Sequence, residues 1–275
     1  MLHQCSKSPS PPLDKFVERL WYLSDAPTHS HERILPSGTT ELVINLHEDE
    51  IRVYDPERPD RCRRFSGAVV SGVYGKPFIV DTREHASIIG VHFRPGGAFP
   101  ILQLPVNELR DTHVDLGAVW GAAAFELRER LCGAATLAER FHLLESTLVS
   151  RLLASPRGHP AVRFALGAFT QANPERAVGE IAVQSGFSQR RFIQVFKQEV
   201  GMPPKLFDRL RRFQRALALT KSQSRPNWTQ LAIECGYFDQ SHFINEFRSF
   251  SGLRPAEYVR QKSEQVLPNH VPLSE

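Results

Sequence analysis

A repeat of about fifty residues in the last third of the chain limits its fold more than any other feature. Ile181-Ala182 recurs as Leu231-Ala232, and Gly186-Phe187 as Gly236-Tyr237, both at a shift of 50. Phe192, Phe196, Gly201, Pro204 and Phe207 then recur as Phe243, Phe247, Gly252, Pro255 and Tyr258 at a shift of 51, so one residue has been added in the turn. Self-similarity at a fixed spacing means that one supersecondary unit is used twice.

Each unit reads as helix, tight turn, helix. In the first, Val178, Ile181 and Ala182 have helical apolar spacing, and Gly186 can leave the helix in a left-handed conformation. Ser188 can cap the next helix by accepting a backbone N–H. Phe192, Val195 and Phe196 form that helix's buried stripe, which stops near Gly201 and Pro203-Pro204. The second unit repeats the scheme with Leu231, Ala232, Gly236, a capping Asp239, then Phe243, Phe247 and Phe250, ending at Gly252 and Pro255.

With the aromatic stripe inward, the opposite face of each second helix meets solvent or a ligand. That face carries Gln189, Arg190, Gln194 and Lys197 in the first unit, and Gln240, Ser241, His242, Asn245 and Arg248 in the second. Arg suits guanine, Gln and Asn suit adenine, and Ser suits either, so these are side chains that read base edges. Ile193 borders the first face and belongs either to the core or against a thymine methyl. Between the units, Lys205 to Thr220 lacks Gly and Pro and spaces Leu206, Leu210, Phe213 and Leu217 as a connecting helix. Its Lys205, Arg209, Arg211, Arg212 and Arg215 are candidates for phosphate contacts, with a solvated helix surface as the alternative.

Charge agrees with this division. Residues 1–173 carry 19 Lys+Arg against 20 Asp+Glu, whereas residues 174–262 carry 15 against 8. The excess of +7 therefore belongs to the repeat region, although the 275-residue chain has a net charge of only +4. A basic domain joined to a neutral one suits a phosphate-binding module with a separate partner domain.

These residues resemble a known family. The run I-A-x-x-x-G-F-S, F-x-x-x-F-K-x-x-x-G-x-x-P, the connecting R-F-Q-R-A-L, and then L-A-x-x-C-G-Y-x-D-Q-S-H-F and F-R-x-x-x-G-x-x-P-x-x-Y make residues 160–262 similar to the AraC/XylS-type DNA-binding domain. The resemblance implies seven helices, with both recognition helices in successive major-groove segments on one face of double-stranded DNA. It makes Gln189, Arg190, Gln194, Gln240, Ser241, His242 and Asn245 the candidate base readers. Lys197, Arg209, Arg212 and Arg248 are the candidate phosphate contacts. Phe213 and Trp228 stand where the family usually has aliphatic residues, which bears on local packing.

The first part of the chain has another grammar. Leu42–Leu46, Pro77–Val80 and Ser87–Phe93 are short β-rich runs, broken by Pro36-Ser37-Gly38, a charged loop from Glu48 to Arg64, and Pro95-Gly96-Gly97. They suit a small, mainly antiparallel sheet or barrel. Leu116–Gly133 and Leu137–Leu153 then turn helical. Leu137, Phe141, Leu144, Leu148 and Leu152 make one stripe, which is either a dimer seam or part of the domain's own core. W-Y-L at Trp21, R-I-L-P-S-G-T-T-E-L-V-I-N-L at Arg33–Leu46, V-H-F-R-P-G-G-A-F at Val91–Phe99, P-V-N-E-L-R-D at Pro105–Asp111 and L-G-A-V-W-G at Leu116–Gly121 resemble the N-terminal domain of a subgroup of the same family. That resemblance implies a cupin-like domain that senses an effector or dimerises.

The expected architecture is thus α+β. Residues 1–12 form a disordered tail, 13–155 a mainly antiparallel β, cupin-like domain ending in helices, 160–262 an all-α domain with two helix-turn-helix units, and 263–275 a second disordered tail. Double-stranded DNA is the expected partner; RNA polymerase, a small-molecule effector and a second copy of the chain are further candidates.

Other chemistries find little support. Cys5, Cys62, Cys132 and Cys235 are isolated, without a C-x-x-C pair, so neither a disulfide framework nor a structural zinc site is expected. No Pro-Cys suits the alkyl-transfer repair enzymes that carry this DNA-binding unit, and no G-x-S-x-G suits a hydrolase. His29, His31, Glu41 and His92 could supply metal ligands inside a barrel, but the stretch around His29 is polar and its spacing to Glu41 is loose. Pro95-Gly96-Gly97 reads as an anion nest or, more simply, as a chain reversal. No cofactor is expected. Mean hydropathy is negative, no apolar run approaches the ~18 residues of a membrane span, and Met1–Pro12 lacks a signal-peptide apolar core, which makes the cytoplasm the expected compartment.

Overall fold

The computed structural model describes residues 3–24, 31–82, 86–154, 158–170, 178–184, 186–221, 226–262 and 269–273. The N-terminal strands are β1 (His3–Lys7), β2 (Val17–Ser24), β3 (His31–Ile34), β4 (Glu41–Asn45), β5 (Ile51–Asp55), β6 (Arg58–Phe65), β7 (Ala68–Ser71), β8 (Phe78–Asp81) and β9 (Ser87–Phe93). Helix α1 (Ala98–Leu102), strand β10 (His113–Asp115) and helices α2 (Leu116–Trp120), α3 (Ala122–Gly133) and α4 (Leu137–Leu153) follow. One sheet runs β1-β2-β9-β4-β7-β10. The other runs β11-β3-β8-β5-β6, where β11 (His270–Pro272) comes from the far end of the sequence. All the registered pairs are antiparallel.

The apolar runs sit at the centre of the first sheet. Leu42 and Ile44 of β4 pair with Val91 and Ile89 of β9, and all four are buried. This is the fully covered kind of strand, which reads as a continuous apolar run. Helix α4 packs its stripe on the same core: Phe141, Leu144 and Leu148 are buried, and Leu137 and Leu152 pack against them. Its start is a capping box, in which Thr136 accepts from the Glu139 N–H and Glu139 accepts from the Thr136 N–H. The stripe therefore serves the domain's own core rather than a dimer seam.

Several expectations need correction. Neither terminal segment is wholly disordered: residues 3–7 pair with β2, and residues 270–272 pair with β3. The charged stretch from Glu48 to Arg64 is a hairpin, with β6 the edge strand. Edge strands tolerate charge because one side meets water, and the charge discourages pairing with another chain. The helix expected over 116–133 is two, because Gly121 has φ +61° and breaks it. The Pro95-Gly96-Gly97 turn reverses the chain so closely that a Cβ on Gly97 would lie 1.9 Å from the Phe16 carbonyl oxygen.

The C-terminal helices are α5 (Pro160–Thr170), α6 (Val178–Gln184), α7 (Gln189–Val200), α8 (Pro204–Thr220), α9 (Trp228–Glu234), α10 (Gln240–Ser251) and α11 (Pro255–Gln261). Helix α8 is the shared spine. Its Phe207 meets Phe196 edge-on at 5.7 Å, and its Phe213 meets Phe247 at 5.1 Å. The two departures from the family pattern find partners here: Phe213 also packs on Phe250, and Trp228 stacks on Phe243.

One buried polar pair gives the fold a pH signature. His113 on β10 is buried against Phe65 and Phe78, and its Nδ1 lies 2.6 Å from the Tyr74 hydroxyl. Burial pushes its pKa down from 6.5 to about 3. The folded ring therefore stays neutral, whereas the unfolded chain takes up a proton as the pH falls through 6.5. Stability should drop over that window by up to about 1.4 kcal/mol per pH unit. Urea unfolding between about pH 5 and 6.5 should show this slope, reduced in His113→Gln; an equal slope in the variant would contradict the assignment.

Candidate nucleic-acid interface

Both second helices of the repeat start and stop as their sequences require. Ser188 accepts from the Arg191 N–H at 3.3 Å, and Asp239 accepts from the His242 N–H at 2.7 Å. Gly201 (φ +92°) and Gly252 (φ +73°) end α7 and α10 in the left-handed conformation. On α7, Phe192, Val195, Phe196, Glu199 and Val200 are buried; on α10, Phe243, Glu246, Phe247, Phe250 and Ser251 are.

At 100° per residue, those burials leave one face outward on each helix. It carries Arg190, Gln194 and Lys197 on α7, and Ser241, Asn245 and Arg248 on α10. The two sets are equivalent under the shift of 51. Lys197 is half-buried and the other five are exposed. Two hydrogen-bonding side chains and a cation thus occupy matched positions twice. Gln189 is exposed at the start of α7.

Other expected residues have partners inside the domain. The Thr229 hydroxyl donates to Gln240 Oε1 at 2.9 Å. The His242 ring lies edge-on to Tyr237 and 3.7 Å from Glu246. Arg209 and Arg212 were expected on phosphate, but Arg209 donates to Glu246 at 2.5 Å and Arg212 donates to the Gly236 carbonyl at 3.0 Å. Both guanidinium groups also cover aromatic rings, Phe250 and Tyr237. For Arg209 the reason is Glu246. It sits on the buried stripe where the first unit has Val195, and a buried carboxylate needs a counter-charge. A charge at a core position was the available signal.

Arg191 is the residue that sequence reasoning missed. It is exposed and donates to Gln194 Oε1 at 3.1 Å, so it joins the outward face of α7. The three-residue spacing between Arg191 and Gln194 could have revealed it.

A cavity of about 1330 Å³ lies between the two domains. Lys15, Arg19 and Arg94 line it from the N-terminal side, and Arg163, Arg211 and Arg215 from the C-terminal side. Glu18, Glu41, Glu199, His92 and His270 also face it. His92 pairs with Glu41 and lies 3.0 Å from the Thr39 hydroxyl. Burial raises the Glu41 pKa, but His92 beside it outweighs burial and holds the carboxyl below its usual range. His31 packs edge-on to Tyr54 at 5.0 Å instead of joining His92, and His29 lies outside the described residues. Among the described residues no group of three or more His, Cys, Asp or Glu could hold a metal ion. No described helix is long and apolar enough to cross a membrane.

Residues 181–261 match the model of a helix-turn-helix domain, which spans both outward faces. That domain is of the AraC type. Residues 6–115 match a domain of unknown function, so a distinct N-terminal domain accompanies the AraC-type one. An uncharacterised helix-turn-helix transcriptional regulator of Haemophilus influenzae is 33% identical over 86 residues, 31% of this chain and 28% of that protein. The F1 operon positive regulatory protein of Yersinia pestis is 37% identical over 79 residues, 28% of this chain and 26% of that protein. The chain thus spans only about a quarter of the length of these two relatives. Among solved structures, ToxT from Vibrio cholerae aligns over 94% of this chain and 98% of its own, with a TM-score of 0.46 and 10% identity.

Within the AraC-type domain the brace around Glu246 has a measurable consequence. Arg209→Ala should lower stability by about 1–3 kcal/mol, because Glu246 is left buried without its cation while part of the arginine already meets water. The salt dependence of DNA binding should stay as in the parent chain. A stable variant with a shallower salt dependence would return Arg209 to the phosphate contacts.

Proposed function

We propose that the chain is a sequence-specific DNA-binding transcription regulator, in which one monomer reads double-stranded DNA with both α7 and α10. One observation carries the reading. The same outward face, two hydrogen-bonding side chains followed by a cation, occurs at equivalent positions of two capped helices. That face lies in the segment that holds the chain's basic excess. Arg190, Gln194, Ser241 and Asn245 are the base readers, with Arg191 and Gln189 beside the first pair and Gln240 and His242 beside the second. Lys197 and Arg248 meet phosphate. The first helix leans cationic and the second neutral, so the two ends of the site read different bases.

Arg190→Ala should cost about 1–3 kcal/mol on the preferred site and relax preference at one base position. Lys197→Ala and Arg248→Ala should instead weaken all sequences alike, each reducing the salt slope by about 1. Competition binding against a panel of single-base variants distinguishes the two patterns. If Arg190→Ala kept the parent's preference at every position, the orientation of α7 would be wrong.

The finer part of the reading is control by a small anionic effector in the interdomain cavity. Its support is the lining, in which six cationic side chains face three carboxylates. Native mass spectrometry should find an anionic adduct on the purified chain that is lost from the Arg94→Ala/Arg211→Ala double variant. An adduct of equal occupancy in both proteins would remove the cavity from the account.

A further inference from the structure

After α11 the chain returns to the N-terminal domain. Strand β11 lies along β3 with His270 opposite Ile34, Val271 opposite Arg33 and Pro272 opposite Glu32. The contact extends beyond the ladder. The Leu35 N–H donates to the Asn269 carbonyl at 2.7 Å, Asn269 Nδ2 donates to the Leu35 carbonyl at 3.0 Å, and the Leu273 N–H donates to the His31 carbonyl at 3.1 Å. Val271 is fully buried, and His270 Nδ1 lies 2.7 Å from Glu32. Strand β11 also lies near α11, the last helix of the second repeat unit.

The N-terminal domain meets both units at equivalent points. A Cβ on Gly201, just after α7, would stand 2.7 Å from Val73 and 3.1 Å from Val106. A Cβ on Gly252, just after α10, would stand 3.7 Å from Arg33 and 3.9 Å from Pro77. The connecting helix is held as well. Leu210 packs on Gly38, and Gln214 donates to the Pro36 carbonyl at 2.5 Å. Arg33, Leu35, Pro36 and Gly38 all belong to β3 or the turn that follows it. That is the strand whose free edge β11 covers.

We infer that residues Asn269–Leu273 form a latch that sets the angle between the two recognition helices. The first unit rests on Val73 and Val106, whereas the second unit and α8 rest on β3 and its turn. Anything that fixes β3 to α11 therefore fixes the second unit relative to the first. A single helix joins the two units, so with the latch released their relative angle depends on α8, the braces along it, and the side contacts of Gly252, Leu210 and Gln214 with β3 and its turn. The latched monomer accepts one spacing between the two DNA elements it reads; the released monomer tolerates several. This inference rests on the proposed DNA reading for its functional half, and on the strand pairing alone for its structural half.

Two variants of the full chain test it, one ending at residue 268 and one carrying Val271→Asp. Hydrogen exchange reads the latch directly. The Leu35 amide, which donates to Asn269, should lose protection in both variants, while Ile89 at the centre of the other sheet keeps it and reports an intact domain. Binding is then compared on the selected site and on the same site with one base pair inserted between its two elements, a rotation of about 35°. The parent chain should lose about tenfold or more on insertion, and the variants less than about threefold, with Leu35 and spacing changing together. Leu35 protection unchanged in the shortened chain would overturn the latch. Leu35 released while the parent's spacing preference is kept would overturn its positioning role. If the parent chain selected no DNA sequence, the DNA reading itself would fail, and the Leu35 comparison would still decide whether the latch exists.

Discussion

Phe192 and Phe196 on α7, and Phe243 and Phe247 on α10, are fully buried, and the rest of the C-terminal domain follows from where they go. Burying a phenylalanine side chain is worth about 1.5–3 kcal/mol, so a pair per helix fixes how that helix rolls. Rolling the aromatic pair inward turns Arg190, Gln194 and Lys197 outward on one helix, and Ser241, Asn245 and Arg248 outward on the other. The caps at Ser188 and Asp239 and the left-handed glycines at 201 and 252 then fix where each face starts and ends. Helix α8 joins the two clusters through Phe207 and Phe213. Core packing and the outward polar faces are two sides of one geometric choice.

What was legible in the sequence was local. Helix α4 has the predicted bounds because a capping box opens it and an apolar stripe runs its length. The repeat helices were legible from caps, glycines and aromatic spacing. Strand β6 was not, since an edge strand such as Arg58–Phe65 keeps one side wet and carries no apolar alternation. Strands β1 and β11 were hidden for a different reason. His3–Lys7 and His270–Pro272 have little strand character of their own, and partners far away in sequence hold them. Arg209 and Arg212 looked like phosphate contacts because sequence shows charge without showing Glu246 and the Gly236 carbonyl beside them.

The same limit applies between the domains. The cavity lining comes from Pro12 at one extreme and His270 at the other, and no spacing rule connects them. Contacts of three unlike kinds join the two domains: the glycines after α7 and α10, the Leu210 and Gln214 side of α8, and the strand added by β11. They tie α7 and α10 to a domain that also walls a cationic cavity. An occupant of that cavity would act on the same contacts that orient the two helices, which is the physical requirement for coupling between sites.

The central claim is that one chain reads DNA with two unlike helices. Selection of bound sequences from random duplex DNA by the unmodified chain tests it most directly. The account predicts an asymmetric site of two elements about one helical turn apart, with guanine preferred under α7 and different bases under α10. Enrichment of a single element, or of two identical inverted elements, would contradict it.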